Sequence, residues 1–448
     1  MSDMLAIGAS GVRAYQSALT STSENIANAG VDGYSRRTTT LRDISPSGSS
    51  LTGGSVRNGS GVAIIGVERA GDQFRATEVR STSSELGKSE AGIVWLETIE
   101  RALSGSRLTD GIAAFFNAAQ NVAADPSSLA SRTVMLDKAS GLAGGFASTA
   151  TTLATAASDL DATAEQAVRD LNVTAEALAK VNAGLGRASP GTSGQAGLLD
   201  QRDRLLETMS TLIDVDVQFD DFGRASVRAG GVAGPVLIAG EVAGYISYAR
   251  NDEGAAALTL SRNQQVNVVS ANGGAIAGIA DGAQRIADAR ATIEDLAEQF
   301  VDGVNALQAQ GDDLDATAGA EMFEMLDGAA SMKLTLEDPR GIAAAATGGG
   351  SRNNANLAEF AAFRDTGGFE DRLTELNLVN ASALQGRKSV AEAQSIMRDQ
   401  AIAGRDALSG VNLDEEAVDL MRFQQAYQAS SRVIQIARET LQSILDIR

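Results

Sequence analysis

The sequence predicts a mainly α protein with a small β domain. It reads as an elongated multi-domain molecule with terminal helices forming a coiled coil, a helical-bundle middle domain and an antiparallel β insert. Three observations carry this. Apolar residues recur at alternating three- and four-residue steps at both ends of the 448-residue chain, which places each set on one helix face as a seam for another helix. Helical stripes run through most of the interior. Between 214 and 280 the period changes to two, that of strands.

At the front, Leu5, Gly8, Val12, Tyr15, Leu19, Thr22 and Ile26 form the stripe. The helix is expected to stop at Ala29-Gly30, where Asn28 and Gly30 both tolerate left-handed helix-end geometry. Asp32-Gly33 adds a turn signal. Residues 30–70 are rich in Gly, Ser and Thr, with β-leaning pieces at Arg36 to Leu41 and Val62 to Val67, so an extended connector is expected.

Helical pattern resumes near Phe74 with Val79, Leu86, Ile93, Leu96 and Leu103, and a shorter helix follows through Leu108, Ile112, Phe115, Ala119 and Val122. Asp125-Pro126-Ser127-Ser128 reads as a stop and a new start. A long Ala-rich helix covers 128–185, with Gly144-Gly145 as its weak point. Gly186 to Gly197 is expected to be a flexible loop before a helix over 198–213. The β pieces then alternate with glycine-rich turns up to 280, helix returns over 281–309, and 310–355 is mixed. Helices fill most of 356–408 ahead of the closing stripe of Leu413, Leu420, Phe423, Tyr427, Ile434, Ala437, Leu441 and Ile444.

This order divides the chain into a terminal coiled-coil unit (1–45 with 405–448), an elongated helical domain (46–213 with 281–404) and an inserted β domain (214–280). Segments on either side of the insert are expected to pair, as are the two ends. The sticky stripes at the ends favour a building block over a catalyst, with ends that order on assembly.

Composition narrows the chemistry. A net charge of −20 argues against nucleic acid, where clustered Lys and Arg must neutralise phosphates. The same balance disfavours anionic membrane surfaces. Absent cysteine excludes disulfides and thiolate chemistry, and absent histidine excludes Ser-His-Asp, Cys-His and His-zinc mechanisms. A carboxylate-pair hydrolase is the enzyme reading left. No metal site or cofactor site is read from the sequence. The opening residues lack a basic region and the apolar stretch of a secretory signal. That fits either a cytoplasmic protein or one exported without a cleaved signal.

Three local patterns have bland readings. Asp313, Asp315, Thr317 and Glu324 fall at the first, third, fifth and twelfth places of a calcium loop, but Ala318 occupies the place that needs glycine, so a solvated loop is expected. Gly348-Gly349-Gly350 lacks the lysine and strand of a phosphate cradle and reads as a plain loop. Arg36-Arg37 reads as a solvated pair, with contact to an acidic partner as the sharper alternative.

Ser23-Glu24-Asn25-Ile26-Ala27-Asn28 followed by Gly33-Tyr34-Ser35-Arg36 resembles the amino-terminal motif of bacterial flagellar axial proteins (rod, hook and hook-associated). Val411-Asn412-Leu413-Asp414-Glu415-Glu416 and Phe423-Gln424-Gln425-Ala426-Tyr427-Gln428 resemble that family's carboxyl-terminal motif. Three internal stretches, Phe115 to Gln120 with Asp125 to Ser128, Leu198 to Leu206, and Gly311 to Leu314, narrow the resemblance to the hook-associated members at the hook–filament junction. Glu24 and Val31-Asp32 depart from the usual pattern, and the chain is expected to lack a large domain that many relatives insert.

The resemblance implies a structural adaptor, without enzymatic activity, exported through the flagellar secretion channel to the extracellular flagellum. Its implied partners are the hook protein, a second junction protein (hook-associated protein 3), copies of itself in a ring, and an export chaperone on the carboxyl-terminal helix. The implied assembly interface is Leu5, Val12, Tyr15, Leu19, Ile26, Leu413, Leu420, Phe423, Tyr427, Ile434, Leu441 and Ile444, with Asn25, Asn28, Gly33, Tyr34, Asn412, Gln424 and Gln425 as motif residues. The alternatives are another axial subunit (hook, rod or second junction protein) or, from a different class, a cytosolic coiled-coil signalling protein.

Overall fold

A computed structural model describes residues 2–44, 61–105, 107–251, 254–326 and 331–445. The opening stripe builds α1 (Ser2–Asn28), which stops where the helix-end residues stand. The two β-leaning pieces become β1 (Arg37–Asp43) and β2 (Val62–Arg69), paired antiparallel with Arg37 opposite Arg69 and lying against α1. The linker between them falls largely outside the described residues.

The first helical block comprises α2 (Gln73–Gly105), α3 (Leu108–Ala124), α4 (Leu129–Leu185) and α5 (Ser193–Leu212). α4 is 57 residues long, roughly 85 Å at 1.5 Å per residue, which makes the molecule elongated. The Ser128 hydroxyl caps it by accepting from the Ser131 N–H. Gly144-Gly145 does not break it. Leu142, Phe146 and Leu153 are fully buried around the pair, and that packing outweighs the roughly 1 kcal/mol per glycine.

α5 begins at Ser193 rather than 198, because Thr192 caps it, accepting from the Gln195 N–H at 3.2 Å. Gln195 Oε1 in turn accepts from the Gly191 N–H at 2.9 Å, a close variant of the reciprocal capping box that the glycines around it obscure.

The alternating segment forms two antiparallel sheets. β3 (Val215–Phe219), β4 (Ala225–Ala229), β5 (Val236–Ala239) and β6 (Val242–Ala243) make the first, in that order. β7 (Tyr245–Arg250), β8 (Ala256–Arg262) and β9 (Gln265–Val269) make the second. Val227, Ile238, Ile246, Leu258 and Leu260 point into the core. Two buried asparagines of α4 fasten the sheets. Asn182 donates to the carbonyls of Ala225 and Gly240 and accepts from the Ala225 N–H. Asn172 brackets Ile246 in the same way.

α6 (Gly274–Gln310) starts seven residues before the expected 281. Its first turns are Gly- and Ala-rich because they press against α2. A Cβ on Gly282 would lie 2.5 Å from Trp95 Cδ1, and one on Gly278 would strike the Lys88 carbonyl. Close packing, which propensity does not register, holds this stretch helical.

The mixed region supplies β10 (Gly311–Asp312), β11 (Phe323–Leu326), β12 (Ser331–Leu334) and β13 (Ala345–Ala346), with β10 on β13 and β11 on β12. Asp313 spends its carboxylate on the turn, accepting from the N–H groups of Asp315 and Thr317, while Glu324 sits on β11. The 348–350 glycines form a turn before the last helices, α7 (Ala355–Gly367), α8 (Phe369–Ser409) and α9 (Leu413–Leu445). α8 and α6 both pack along α2, so segments on either side of the β insert do pair.

One part of the core is a cluster of phenylalanines. Phe115, Phe116, Phe300, Phe323, Phe360 and Phe369 are all nearly inaccessible, and Phe115 meets Phe300 edge-to-face at 5.3 Å. Buried Arg132 closes that end, donating from Nε to the Pro126 carbonyl (2.7 Å) and from Nη1 to the Ile342 carbonyl (2.6 Å). Among the described residues no helix is long and apolar enough to cross a membrane.

Candidate assembly interface

α1 and α9 lie side by side, so the two ends of the chain form one arm. The hub at its base is Asn25, in the last turn of α1. Its Nδ2 donates to the Arg37 carbonyl (2.8 Å) and to Glu416 Oε2 (3.0 Å). Its Oδ1 accepts from the Tyr34 hydroxyl and the Arg37 N–H, both at 2.9 Å. Two donors and two acceptor sites are all that an amide has, and every one is used.

The motif residues around Asn25 have local reasons. Asn28 closes the helix by donating to the Glu24 carbonyl at 2.8 Å. Gly33 takes φ +71°, which brings Tyr34 back under the helix, and a Cβ there would sit 2.5 Å from Arg204 Cγ. Asn412 stands before α9 and accepts from the Asp414 N–H at 3.1 Å, capping the helix start. Burial pushes the Tyr34 phenol up to about 12, the guanidinium of Arg37 pulling it back and Glu24, Asp200 and Glu416 adding to the rise.

The expectation that Arg36 and Arg37 form a solvated pair is overturned. Arg36 is ion-paired with Glu415, with buried Glu416 (2.6 Å) and with Asp419. Arg37 reaches Glu24 (3.0 Å) and Asp200 (2.9 Å). Asp200 is itself buried and also receives Arg69 Nε at 2.6 Å, while Arg69 Nη2 reaches Asp203 at 2.6 Å. Neighbouring carboxylates thus take both arginines because each lies on a different side of the chain. Arg36 faces α9, and Arg37 faces α5.

The Leu198 to Leu206 segment is therefore the dock by which the helical block holds the arm. Sequence reasoning singled out the segment but missed Asp200 and Asp203 as its working parts with Arg69 as their partner, and it missed Glu416 as the partner of Arg36 and Asn25. The available signal was the acidic pair Asp200 and Asp203 flanking arginine. Beside this dock lies a cavity of about 570 Å³ lined by Tyr34, Arg69, Arg80, Arg202, Glu207 and Arg405 among others. Burial lowers the pKa of Arg80 and Arg202 there, while Arg405 bridges to Glu207 at 2.9 Å.

The seam between α1 and α9 is built on small residues. Gly8, Gly11, Ala14 and Ala18 are buried. A Cβ on Gly8 would stand 2.7 Å from Ile434 Cγ1, and one on Gly11 would stand 2.6 Å from Ser430 Oγ. Leu5, Val12, Tyr15 and Leu19 of α1 and Leu420, Phe423, Tyr427 and Ile434 of α9 are half-buried along its flanks, with the Tyr15 and Phe423 rings 6.5 Å apart. Ile26, Leu413, Leu441 and Ile444 are exposed, as are Gln424 and Gln425. Val418, Met421 and Ile436 add to the exposed apolar surface of α9. The arm thus has a closed inner seam and a second apolar surface facing outward.

The family model described as the flagellar hook-associated protein FlgK helical domain matches residues 96–323, and the flagellar basal body rod FlgEFG protein C-terminal model matches residues 403–447. Flagellar hook-associated protein 1 of Salmonella typhimurium is 23% identical over 559 aligned positions that cover 100% of both chains. Its counterpart in Bacillus subtilis is 24% identical over 489 positions, covering 97% of this chain and 96% of the other. The solved flagellar hook junction protein FlgK from Burkholderia pseudomallei is 18% identical, covers 55% of this chain and 46% of its own, and has a TM-score of 0.49. An end-to-end alignment of 559 positions on 448 residues means that the Salmonella protein carries stretches this chain lacks. With one family model spanning half of its length, the chain belongs to the flagellar hook-associated protein FlgK family.

Proposed function

We propose that this chain is the structural adaptor between flagellar hook and filament and that it carries out no reaction of its own. It is a component of the bacterial flagellum and associates with the hook and other axial parts. The observation that carries the reading is the Asn25–Glu416–Arg36 lock, which makes one arm of the two chain ends. It occurs in a chain aligned throughout with Flagellar hook-associated protein 1.

In this reading the arm enters an inner tube and the rest of the molecule stands outside it. Residues 1–45 and 405–448 form the tube unit, against whose β1 the body's β2 pairs. Residues 46–213 and 281–404 form the helical body, and 214–280 form the β domain. The half-buried seam residues hold α1 to α9, while Ile26, Leu413, Leu441 and Ile444 meet neighbouring subunits. The hook protein lies on one side, hook-associated protein 3 on the other, and further copies complete a ring. The outward stripe of α9 is also the surface an export chaperone would cover. An extended chain without cysteine passes the flagellar secretion channel unobstructed by crosslinks.

The match of residues 403–447 to rod proteins supports a second reading, another axial position. The helical-domain match and the Leu198 to Leu206 dock favour the junction. Sheared flagella test both, since the chain should be found at the hook end of filaments. Leu420→Asp or Ile434→Asp should abolish incorporation while the helical body stays folded. Normal filaments with either variant would overturn the arm as the assembly element, and a chain found only in the cytosol would overturn the junction reading.

A further inference from the structure

α8 shows three faces. One is buried against α2, through Leu373, Asn380, Leu384 and Ala391, with Asn380 donating to the Leu96 carbonyl at 3.0 Å. A second is charged, and several of its members bond within the chain, as Arg387 does to Asp281, Lys388 to Glu97 and Arg405 to Glu207. The third is largely uncovered by the described residues. Val379, Val390, Met397 and Leu408 are 57%, 48%, 57% and 58% exposed. At 100° per residue they fall within about 20° of one line, running about 44 Å. Ala383, Gly386 and Ala393 fall in the same sector, as does Gly404, over which the Arg75 side chain of α2 lies. From 376 to 408 every charged residue of α8 itself lies about 70° or more away from that line, so from Val379 to Met397 the line is free of charge and Arg75 enters only at the Gly404 end.

We infer that this face of α8 receives a second copy of this chain, side by side in the assembled junction. The inference rests on the junction reading and adds a contact outside the terminal arm. Charge argues for the occupant. Each copy carries −20, so two copies approach most easily where neither desolvates nor opposes a charge. An oppositely charged partner would be met on the acidic surfaces instead. Continuity argues for it as well. Leu408 lies five residues before Leu413, so copies held by their arms bring their α8 faces alongside. The small residues in the stripe let a neighbouring helix come close.

The strip is about 44 Å by 10 Å, about 440 Å², roughly half of the 800 Å² per partner of a stable interface. It therefore closes only when the arms supply a high local concentration, and the free chain stays monomeric through this face.

The test uses a photocrosslinking benzoylphenylalanine at Val390 or Met397 in the full chain, expressed in flagellated cells, with Val173 on α4 (67% exposed) as the control position. Illumination of sheared flagella should give a covalent dimer from 390 and 397, both peptides coming from this chain, and none from 173. Val390→Asp with Met397→Asp should leave the melting of the soluble chain unchanged and lower the fraction of hooks that keep filaments under shear several-fold. Incorporation without a homotypic crosslink, or a crosslink only to a different protein, overturns this inference alone. A chain absent from flagella overturns the junction reading, and this inference falls with it.

Discussion

Arg36 Nε donates to Glu416 Oε1 at 2.6 Å, joining residues 380 positions apart in the sequence. Glu416 is nearly inaccessible and also accepts from Asn25, so the start of α9 is tied to the end of α1 and to the turn that follows it. Glu416→Ala should loosen the base of the arm by about 1.5–3 kcal/mol, the range for hydrogen bonds to charged groups. Hydrogen exchange in the first two turns of α9 should rise while exchange in α4 stays unchanged. The double mutant with Arg36→Ala should cost less than the sum of the single changes.

Asp200 takes two guanidinium groups at once, from Arg37 and Arg69, in a site where its side chain is 3% exposed. Asp200→Ala leaves both cations half-enclosed without their common counter-charge, and removal of one partner from a buried pair costs about 3–5 kcal/mol. The break should appear first between arm and body. Limited proteolysis is expected to cut between residues 30 and 72 faster in this variant than in the parent chain, with the β domain still protected.

The Tyr34 phenol gives the hub a pH signature. Its folded pKa is pushed up to about 12 by burial, against about 10 when unfolded. Folded Tyr34 therefore keeps its proton where the unfolded residue has lost it. Its contribution is complete below pH 10 and is lost as pH rises toward 12. Phenolate absorbance should show Tyr34 titrating late, and Tyr34→Phe should remove that late step and flatten the loss of stability between pH 10 and 12.

Much of this architecture was legible because it depends on period. The arm helices, the β1 and β2 connector and the switch to strands at 215 all follow from spacing. What stayed hidden depends on tertiary closeness. Residues 274–280 read as the end of the β insert, yet they are helical, and Gly278 must be bare where α6 meets Lys88. The front stripe includes Gly8 but leaves out Gly11, Ala14 and Ala18, which the seam buries as well because only small side chains fit there. Arg36 and Arg37 read as solvated because no sequence window contains their partners, which lie at Glu416 and Asp200.

Arm and body should fail separately. Phe300 is fully enclosed among the other phenylalanines, and Phe300→Ala removes a ring from a site unable to collapse, at about 3–5 kcal/mol. It should lower the melting temperature of the helical body. Gly8→Leu places a side chain where a Cβ alone would sit 2.7 Å from Ile434 Cγ1, so α1 and α9 must part. Calorimetry should show the body's transition unmoved in Gly8→Leu, while hydrogen exchange shows protection lost along residues 5–19 and 427–437. A body transition that shifts as far in Gly8→Leu as in Phe300→Ala would mean that arm and body fold as one unit.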